Sequence, residues 1–370
     1  MRVAVELVYF TGRKGGTESY ARRLFAALGE LPEAGVELVG IAGRELRAAP
    51  PSWFPGEVVH LPVAGESRPQ WAAAVALAVG PRARALRADL LHCPANFGPA
   101  LRVLPTVVTV HDLLPLRHPE WVPGGRAAAV RRLQRRTLAV ADRIIADSAA
   151  TAADIEAVGG RAGADVDVVP LGAPPVSASV SAGVRGPATA GRPFVLAGGN
   201  RMPHKNFARL IEAWALIPAG ERPLLVVTGS HGADPLVNEV RRHGLAGDVD
   251  LRGWVDAAEL ADLYATASAY VFPTLFEGFG LPVLEAMAAG CPVLASDLPV
   301  LREAGGDAME TFDPASAPGI AAAVRRLVAD PARQAELRAA GLQRAAELTW
   351  RRTAEQTVAS YRRVAAARTP

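Results

Sequence analysis

The chain has 370 residues, which suggests two domains, and half of its residues are hydrophobic, so sizeable cores can form. Its net charge of +3 is too small for the electrostatic footprint of a nucleic-acid-binding protein. Two cysteines are too few for a disulfide framework or a zinc site, and no apolar run reaches the ~20 residues that span a bilayer, so we expect a cytoplasmic protein.

The first half of the chain alternates short apolar runs with helical stretches. Continuous apolar strands separated by helices are typical of a parallel sheet that is covered on both faces. This pattern predicts a doubly wound α/β domain over residues 1–172. The runs read VAVELVYF, VELVGIAG, EVVHLPV, DLLHCPA, PTVVTVHD, DRIIADS and VDVVPLG.

A glycine-rich turn, FTGRKGGTESY at 10–20, follows the first strand. Gly12, Gly15 and Gly16 come before a predicted helix, where glycines let the backbone approach a ligand and helix-start amides favour anions. The spacing is neither the dinucleotide fingerprint nor a P-loop. An ordinary strand-to-helix turn is therefore the alternative interpretation.

A histidine follows the predicted strand of VTVHDLLPLRHPEW at 108–121. His111 and Asp112 lie at the carboxyl end of that strand, the edge where doubly wound sheets bind ligands. Histidine suits proton handling or hydrogen bonding to hydroxyls, and the alternative is a histidine that caps a loop. His92 and His118 are interpreted as structural.

The segment GGRAAAVRRLQRRTLAVADR at 124–143 predicts a basic helix. Arg131, Arg132, Arg135 and Arg136 fall on one face of it, and such a helix can lie on anionic lipid. A solvated helix surface is favoured because the apolar face is ordinary. Peripheral contact with the inner face of a membrane through residues 126–140 stays open.

Residues 173–192 interrupt the alternation, since they are rich in Pro, Gly, Ala and Ser and lack periodicity, which predicts a linker. A second doubly wound domain is predicted over 193–348, followed by a terminal helix within 349–370. Two such domains joined by a linker are expected to enclose a ligand-binding cleft. The second set of strands reads PFVLAGG, LLVVTGS, VDLRGWV, AYVFPT and CPVLAS.

A basic turn, AGGNRMPHKNF at 197–207, follows the first of these strands. Arg201 and Lys205 come just before a helix, and cations beside a helix N-terminus make an anion site, with a solvated basic loop as the alternative. No metal-ligand cluster is recognised, so Lys205 is the expected partner of a diphosphate. The helix is expected to bury Phe207, Leu210, Ile211 and Trp214, which follow helical spacing.

Two glutamates flank a helix start in FPTLFEGFGLPVLEAMAAGCPVLAS at 272–296. Glu285 is assigned to the first turn of the helix, where the helix dipole alone would favour it. That explanation leaves Glu277 unexplained, and carboxylates accept hydrogen bonds from pairs of hydroxyls. The stretch therefore predicts a site for a polyhydroxylated ligand, with the amides of Phe279, Gly280 and Leu281 directed at it.

The motifs, and their order along the chain, resemble those of the retaining nucleotide-sugar glycosyltransferases of family 4. The resemblance implies the GT-B fold, with two facing Rossmann-like domains, an acceptor domain first and a donor domain second, around a cleft. It also implies that the terminal helix crosses back to the first domain. The matching stretches are FEGFGLPVLEAM, GGTE, VTVHDLLPLRHPEW, ADRIIADSAATAADI, VVPLG, GGNRMPHKN, LREAGGDA and TWRRTAEQT.

The activity that the resemblance implies is transfer of a hexose from a nucleoside-diphosphate sugar to a hydroxyl acceptor, with no metal or other cofactor. The mannosyltransferase-like stretches favour GDP-mannose, and UDP- and dTDP-sugars stay open. The acceptor is a glycan, a lipid-linked glycan or a small molecule. A nucleotide-sugar 2-epimerase and a catalytically silent binding protein are the alternatives, and the intact set of motifs argues against both.

The resemblance also implies roles for individual residues. Lys205 would bind the donor diphosphate with Arg201 as a helper, Glu285 the ribose hydroxyls, and Glu277 the transferred sugar. His111 would lie near the acceptor and the donor sugar, and with Lys205 and Glu277 it forms the expected catalytic set. His204 stands where many members have arginine, so a second phosphate contact is open. Further donor-binding residues are Gly15, Gly16, Gly199, Asn200, Gly278, Phe279, Gly280 and Leu281.

Overall fold

The computed structural model describes residues 1–12, 15–122, 127–161, 163–175 and 192–367. They form two compact units, one made of Met1–Gly172 with Trp350–Pro370 and the other of Ala173–Thr349. Most of the predicted linker, and the first three residues of the segment 124–143 that predicts the basic helix, lie outside the described residues. No helix in the described ranges is long and apolar enough to cross a bilayer.

The described part of the first unit is built on a seven-stranded parallel sheet in the order β3-β2-β1-β4-β5-β6-β7. These strands fall on the seven predicted apolar runs, because strands covered on both faces must be apolar throughout. The order reverses between β1 and β4, as in doubly wound sheets. The strands are β1 (Arg2–Leu7), β2 (Glu37–Ala42), β3 (Glu57–His60), β4 (Leu90–Cys93), β5 (Thr106–Val110), β6 (Arg143–Ala146) and β7 (Val166–Val168).

Helices connect these strands. A short π-helical segment (Ala74–Ala78) joins the third helix to the fourth. The seventh begins after Ser148, whose side chain accepts a hydrogen bond from the Thr151 amide as an N-cap. The helices are α1 (Gly15–Gly29), α2 (Glu45–Ala48), α3 (Arg68–Ala73), α4 (Val79–Ala85), α5 (Leu114–Arg117), α6 (Ala127–Val140) and α7 (Ala149–Gly159).

The described part of the second unit is built on a six-stranded parallel sheet in the order β10-β9-β8-β11-β12-β13. Five strands match predicted runs, whereas β13 was not anticipated because its three residues carry no extended apolar run. The strands are β8 (Phe194–Gly198), β9 (Leu224–Ser230), β10 (Val249–Gly253), β11 (Ala269–Phe272), β12 (Val293–Ser296) and β13 (Glu310–Phe312). Both sheets agree with the predicted α/β class.

The helices of the second unit cover this sheet. The predicted apolar face of the first of them is confirmed, because Phe207, Leu210, Ile211 and Trp214 are all buried in the core. Trp214 also donates its indole N–H to the Pro223 carbonyl at 2.9 Å. The helices are α8 (Phe207–Ala215), α9 (Val237–Arg242), α10 (Ala257–Thr266), α11 (Leu281–Ala288), α12 (Pro299–Gly305), α13 (Ala317–Val328) and α14 (Pro331–Glu347).

The C-terminal helix α15 (Trp350–Ala366) packs on the first unit. Its Tyr361 hydroxyl lies 2.7 Å from His92 Nδ1, and its Ser360 hydroxyl donates to Asp167 Oδ2 at 2.7 Å. Arg143 and Arg363 bind the same carboxylate. Burial acts to raise the pKa of Asp167, but these hydrogen bonds and charges outweigh it and lower the pKa. The helix is therefore anchored by both core packing and a partly buried ion cluster.

Candidate active site

The carboxyl edge of the second sheet brings Lys205 and Glu277 together. Lys205 Nζ donates to Glu277 Oε1 at 2.6 Å, and each side chain is only 13% exposed. The Thr274 hydroxyl lies 2.9 Å from the same carboxylate oxygen. The ammonium group also sits 5.1 Å from the centre of the Phe272 ring. Two of the predicted site residues thus form a largely buried ion pair.

The turn that carries Lys205 is clamped to the segment that carries Glu277. Asn206 adopts a left-handed backbone conformation with φ of 60°. Its side-chain amide donates to the Pro273 and Pro314 carbonyls at 3.0 and 2.9 Å. The His204 carbonyl accepts the Leu275 amide at 2.7 Å. Asparagine tolerates this backbone conformation better than most residues. These contacts therefore fix the main chain on both sides of Lys205.

Arg201, the expected helper of Lys205 at the diphosphate, is engaged by groups of the protein itself. Its guanidinium forms a bidentate ion pair with Asp234 and donates to the Gly199 and Thr228 carbonyls, both at 2.8 Å. The side chain is 8% exposed and lies over the Phe207 ring. Arginine has five donors, and these contacts occupy its guanidinium. Arg201 therefore holds the loop in place.

Three backbone amides lie at and just before the beginning of α11. Among the described residues, the amides of Phe279, Gly280 and Leu281 donate to no acceptor. Gly280 has φ of 103°, and a Cβ there would come within 2.6 Å of a Leu301 methyl group, so glycine is required. Free helix-start amides can bind an anion, so the donor site predicted here remains a prediction that these amides are placed to serve. Gly278 lies directly between them and Glu277.

Glu285 does not lie where the sequence analysis placed it. The helix begins at Leu281, so Glu285 is its fifth residue and the first turn contains no acid. Stabilisation of the first turn by the helix dipole therefore does not explain it. Burial, followed by the charges of Glu285 and Glu277, raises the pKa of Tyr270, which places both carboxylates near one tyrosine.

Gly199 and Asn200 form the turn after β8. Gly199 has φ of 140°, and a Cβ on Gly229 would come within 2.7 Å of the Gly199 carbonyl oxygen. The two strand ends therefore approach closely because neither position carries a side chain. Asn200 Oδ1 accepts the Met202 amide at 3.2 Å, so its side chain shapes the turn.

Gly15 and Gly16 begin α1 in the first unit. A Cβ on Gly16 would meet no atom within 4 Å, so packing within the protein does not require glycine there. Thr11 donates its amide and its hydroxyl to Glu18 Oε1, at 2.6 and 3.0 Å, and this ties the preceding strand end to the helix.

His111 lies at the carboxyl edge of the first sheet, and both of its ring nitrogens are engaged. Nδ1 is 2.6 Å from Asp147 Oδ2, and Nε2 is 2.9 Å from the Pro94 carbonyl oxygen. Burial acts to lower the pKa of His111, but the charge and hydrogen bond of Asp147, with help from Pro94 and Asp112, raise it overall. Sequence reasoning missed Asp147, although it directly follows an apolar strand.

The two other histidines singled out in the first unit contact aromatic or hydroxyl side chains of the protein. His92 is buried, with Nδ1 2.7 Å from the Tyr361 hydroxyl and Nε2 2.8 Å from the Thr109 hydroxyl. Burial, followed by the charge of His111, lowers the pKa of His92 to about 3. His118 stacks on Trp121 with ring centres 4.0 Å apart.

Within the described residues, no group of three or more His, Cys, Asp or Glu side chains is placed to hold a metal ion. The sequence contains two Asp-Val-Asp triplets, at 165–167 and 248–250. Their aspartates pair with arginines instead: Asp167 with Arg143, and Asp248 with Arg192 and Arg222. Lys205 and the α11 amides are the positive groups found at the predicted donor site.

Two sequence profiles match the chain. The profile described as "Glycosyltransferase Family 4" matches residues 14–176, and that described as "Glycosyl transferases group 1" matches residues 185–344. The matches follow the division into two units, and the second contains both Lys205 and Glu277.

Known proteins extend this similarity. The chain is 34% identical over 168 residues to the O-antigen chain mannosyltransferase B of Escherichia coli, and the match spans 44% of each chain. The chain thus matches less than half the length of this relative. The sucrose-phosphate synthase of Thermosynechococcus elongatus has the same fold, with a TM-score of 0.77, 23% identity and coverage of 99% and 100% of the two chains. Anabaena HepE in complex with UDP-glucose gives a TM-score of 0.73 at 18% identity, covering 98% and 99%.

Proposed function

The chain belongs to glycosyltransferase family 4, and on that premise we propose that it transfers a hexose from a nucleoside-diphosphate sugar to a hydroxyl acceptor. The observation that carries the proposal is the Lys205–Glu277 pair at the same sheet edge as the α11 amides. A cation and free amides suit the diphosphate, and a carboxylate suits the sugar hydroxyls.

Lys205 is the main catalytic cation in this proposal. Negative charge builds on the nucleoside diphosphate as the bond to the sugar breaks, and preorganised donors stabilise that charge. Lys205 would turn from Glu277 Oε1 to a phosphate oxygen, while the α11 amides bind the same group. Such a cation does the work of a metal ion, so we propose a metal-independent reaction.

Glu277 and Glu285 are proposed to bind hydroxyl groups. Glu277 uses Oε1 for Lys205 and Thr274, whereas Oε2 accepts no hydrogen bond from any described residue. That oxygen is available to a hydroxyl of the transferred sugar. Glu285, partly buried on the second turn of α11, would bind the ribose.

We propose that the anomeric configuration is retained through a front-face, ion-pair-like substitution. After Lys205 turns to the phosphate, the Glu277 carboxylate still accepts the Thr274 hydroxyl at 2.9 Å, and this hydrogen bond makes it a poorer nucleophile. The departing phosphate oxygen would take the proton of the acceptor hydroxyl as the new glycosidic bond forms. Closure that excludes water would protect the activated sugar from hydrolysis.

GDP-mannose is the donor we propose. The support is the match to a relative named as a mannosyltransferase, together with the mannosyltransferase-like sequence stretches. A UDP-sugar is the main alternative, because HepE has the same fold and was solved with UDP-glucose. A nucleotide that binds only the folded protein raises its stability, so thermal shifts with GDP, UDP and dTDP test the base. A larger shift with UDP or dTDP than with GDP contradicts the GDP assignment.

A glycan on a lipid carrier is the acceptor class that the surface of the first unit supports best. Arg132, Arg135 and Arg136 form an exposed face of α6, and Arg136 donates to the Ala100 carbonyl at 2.6 Å. This face carries no acidic side chain. We propose that α6 contacts anionic lipid through it.

Two exposed leucines extend the same surface. The Ala100 amide donates to the Ala76 carbonyl at 2.9 Å, and the next residue in each segment, Leu101 and Leu77, is 60% and 64% exposed. Apolar side chains beside a basic face suit the boundary between headgroups and acyl chains.

Flotation with vesicles tests this contact. Wild type should float with anionic vesicles and not with zwitterionic ones, and the variant R132E/R135E should lose the binding. The matched control is R241E/R326E, which reverses two exposed arginines of the second unit. Equal flotation of the two variants contradicts a role for α6.

A further inference from the structure

We propose that Asp147 is a positioning residue that holds His111 as a fixed cation, so that His111 contributes charge and orientation and does not act as a general base. The use of this charge in catalysis rests on the proposed function, but the charge state of the ring does not. The protonation state of the ring can be measured without any substrate.

Strand register brings the two residues together. Val110 and Ala146 are paired across β5 and β6, and each is the last residue of its strand. The residues that follow them, His111 and Asp147, therefore leave neighbouring strands side by side. The resulting distance from Nδ1 to Oδ2 is 2.6 Å.

The second ring nitrogen also faces an acceptor. The Pro94 carbonyl oxygen lies 2.9 Å from Nε2 and has no proton to give, so Nε2 must donate. Nδ1 faces a carboxylate and shares the remaining proton with it. A histidine with acceptors at both nitrogens is an imidazolium, and it has no lone pair with which to take a proton from a hydroxyl.

The main chain of His111 is fixed as well. Its amide donates to Asn96 Oδ1 at 2.6 Å, and its carbonyl accepts the Thr151 hydroxyl at 3.3 Å. The Tyr20 ring packs edge-on against the imidazole with centres 4.7 Å apart. The ring therefore cannot turn to expose a nitrogen without breaking the Asp147 and Pro94 contacts, and only 14% of the side chain is exposed.

Asp147 depends on His111 in return. Its side chain is 2% exposed, and its Oδ1 atom is buried without a hydrogen-bond partner in the described structure. Among the described residues, His111 is its ion-pair partner, and a buried carboxylate without a cation is costly. The N-terminus of α7, which begins two residues later, also favours negative charge there.

The other titratable groups around the imidazole support this charge state. Asp112 acts to raise the pKa of His111, while His92 on β4 has a pKa lowered to about 3 and is neutral. Burial and the charge of Asp147 raise the pKa of Tyr20 on α1, so this tyrosine is neutral too. The Asp147–His111 pair is thus the charged centre of this part of the sheet edge, together with Asp112.

The direct test is nitrogen NMR of histidine-labelled protein, with His111 assigned by its loss in His111→Gln. At pH 6.5 an ordinary histidine is about half protonated, and we expect wild-type His111 to be mainly doubly protonated. In Asp147→Asn the midpoint of the His111 titration should move to lower pH. An unchanged midpoint overturns the proposal. If Asp147→Asn does not fold, a neutral wild-type ring at pH 6.5 overturns it alone.

A double-mutant cycle on kcat separates positioning from an independent structural effect. If Asp147 acts through His111, the variant His111→Gln/Asp147→Asn should fall within about twofold of His111→Gln alone. Multiplied losses contradict that coupling. Asp142→Asn is the matched control. Asp142 lies just before β6, as Asp147 lies just after it, and its carboxylate accepts the Thr106 amide of β5 and does not contact His111. This variant should leave the titration of His111 unchanged. If no variant or wild type shows transferase activity, the proposed function fails while the NMR result still stands.

Discussion

Lys205 and Glu277 are 72 residues apart in the sequence, yet Nζ of one lies 2.6 Å from Oε1 of the other at the edge of the second sheet. The pair has no net charge in this state. Arrival of a diphosphate gives the ammonium group a second anionic partner and leaves the carboxylate to the sugar. The contact thus links donor binding to sugar recognition.

Replacement of Lys205 by alanine should lower kcat by about 10²–10³-fold, because it removes a preorganised donor to the leaving group. Steady-state release of nucleoside diphosphate measures the loss. Arg209→Ala, which removes a half-buried arginine of α8 paired with Glu212, is the control and should retain activity. Near-normal turnover of Lys205→Ala would rule out its catalytic role.

Replacement of Glu277 by glutamine should separate binding from catalysis. We expect kcat to fall about 10- to 100-fold, because a charged hydrogen-bond partner of the sugar is lost. Free nucleoside diphosphate should bind as tightly as before or more tightly, because Lys205 no longer has a competing carboxylate. Calorimetry gives this affinity, and clearly weaker nucleotide binding would contradict the proposed exchange of partners.

Arg201 should matter for stability and not for phosphate binding. Removal of one partner from a buried ion pair typically costs about 3–5 kcal/mol, and Arg201 and Asp234 are 8% and 10% exposed. Denaturant unfolding of Arg201→Met should show a loss of this order, and Asp234→Asn should show a related one. A stable Arg201→Met variant that binds nucleotide much more weakly would instead support a direct contact between Arg201 and the phosphate.

His92 should make the first unit sensitive to acid. Its pKa falls from 6.5 to about 3 on burial, so the unfolded chain binds a proton in this range that the folded chain does not. Stability therefore falls as the pH drops from 6.5 towards 3, by at most about 1.4 kcal/mol per pH unit for this group. His92→Gln should have a shallower slope in unfolding measured against pH. The same slope in both proteins would contradict the neutral, buried state.

His111 should have the opposite effect on the pH dependence of stability. Its folded pKa is raised, so its contribution to stability is complete below the unfolded value and is lost as the pH rises through the folded value. Asp147→Asn should remove that contribution, and the difference in stability from wild type should shrink at alkaline pH. A difference that grows with pH would contradict the ion pair.

Local sequence patterns were sufficient for most of the fold. Apolar runs identified the long parallel strands, and helical spacing identified the buried face of α8 from Phe207 to Trp214. The three-residue strand β13 escaped because neighbouring strands, and not its own pattern, define it. The start of α11 depends on the left-handed Gly280, and this placed Glu285 on the second turn.

The site required tertiary information. The sequence shows two cations before α8, but only the fold shows that Asp234, 33 residues beyond Arg201, pairs with Arg201, whereas Lys205 pairs with Glu277. Likewise, His111 was visible from its place after a strand, whereas its partner Asp147 appears only once the register of β5 and β6 is known. Side-chain pairs across neighbouring strand ends carry no local signal.

Glycosyl transfer by this protein is tested most directly by incubation with GDP-mannose, UDP-glucose and dTDP-glucose, with and without hydroxyl acceptors, while both nucleotide and sugar are followed. We predict acceptor-dependent release of nucleoside diphosphate, most rapidly from GDP-mannose, with the sugar joined to the acceptor in its original anomeric configuration. Release from no donor across a broad acceptor panel, or conversion of the donor to its C2 epimer without an acceptor, would contradict the proposed glycosyl transfer.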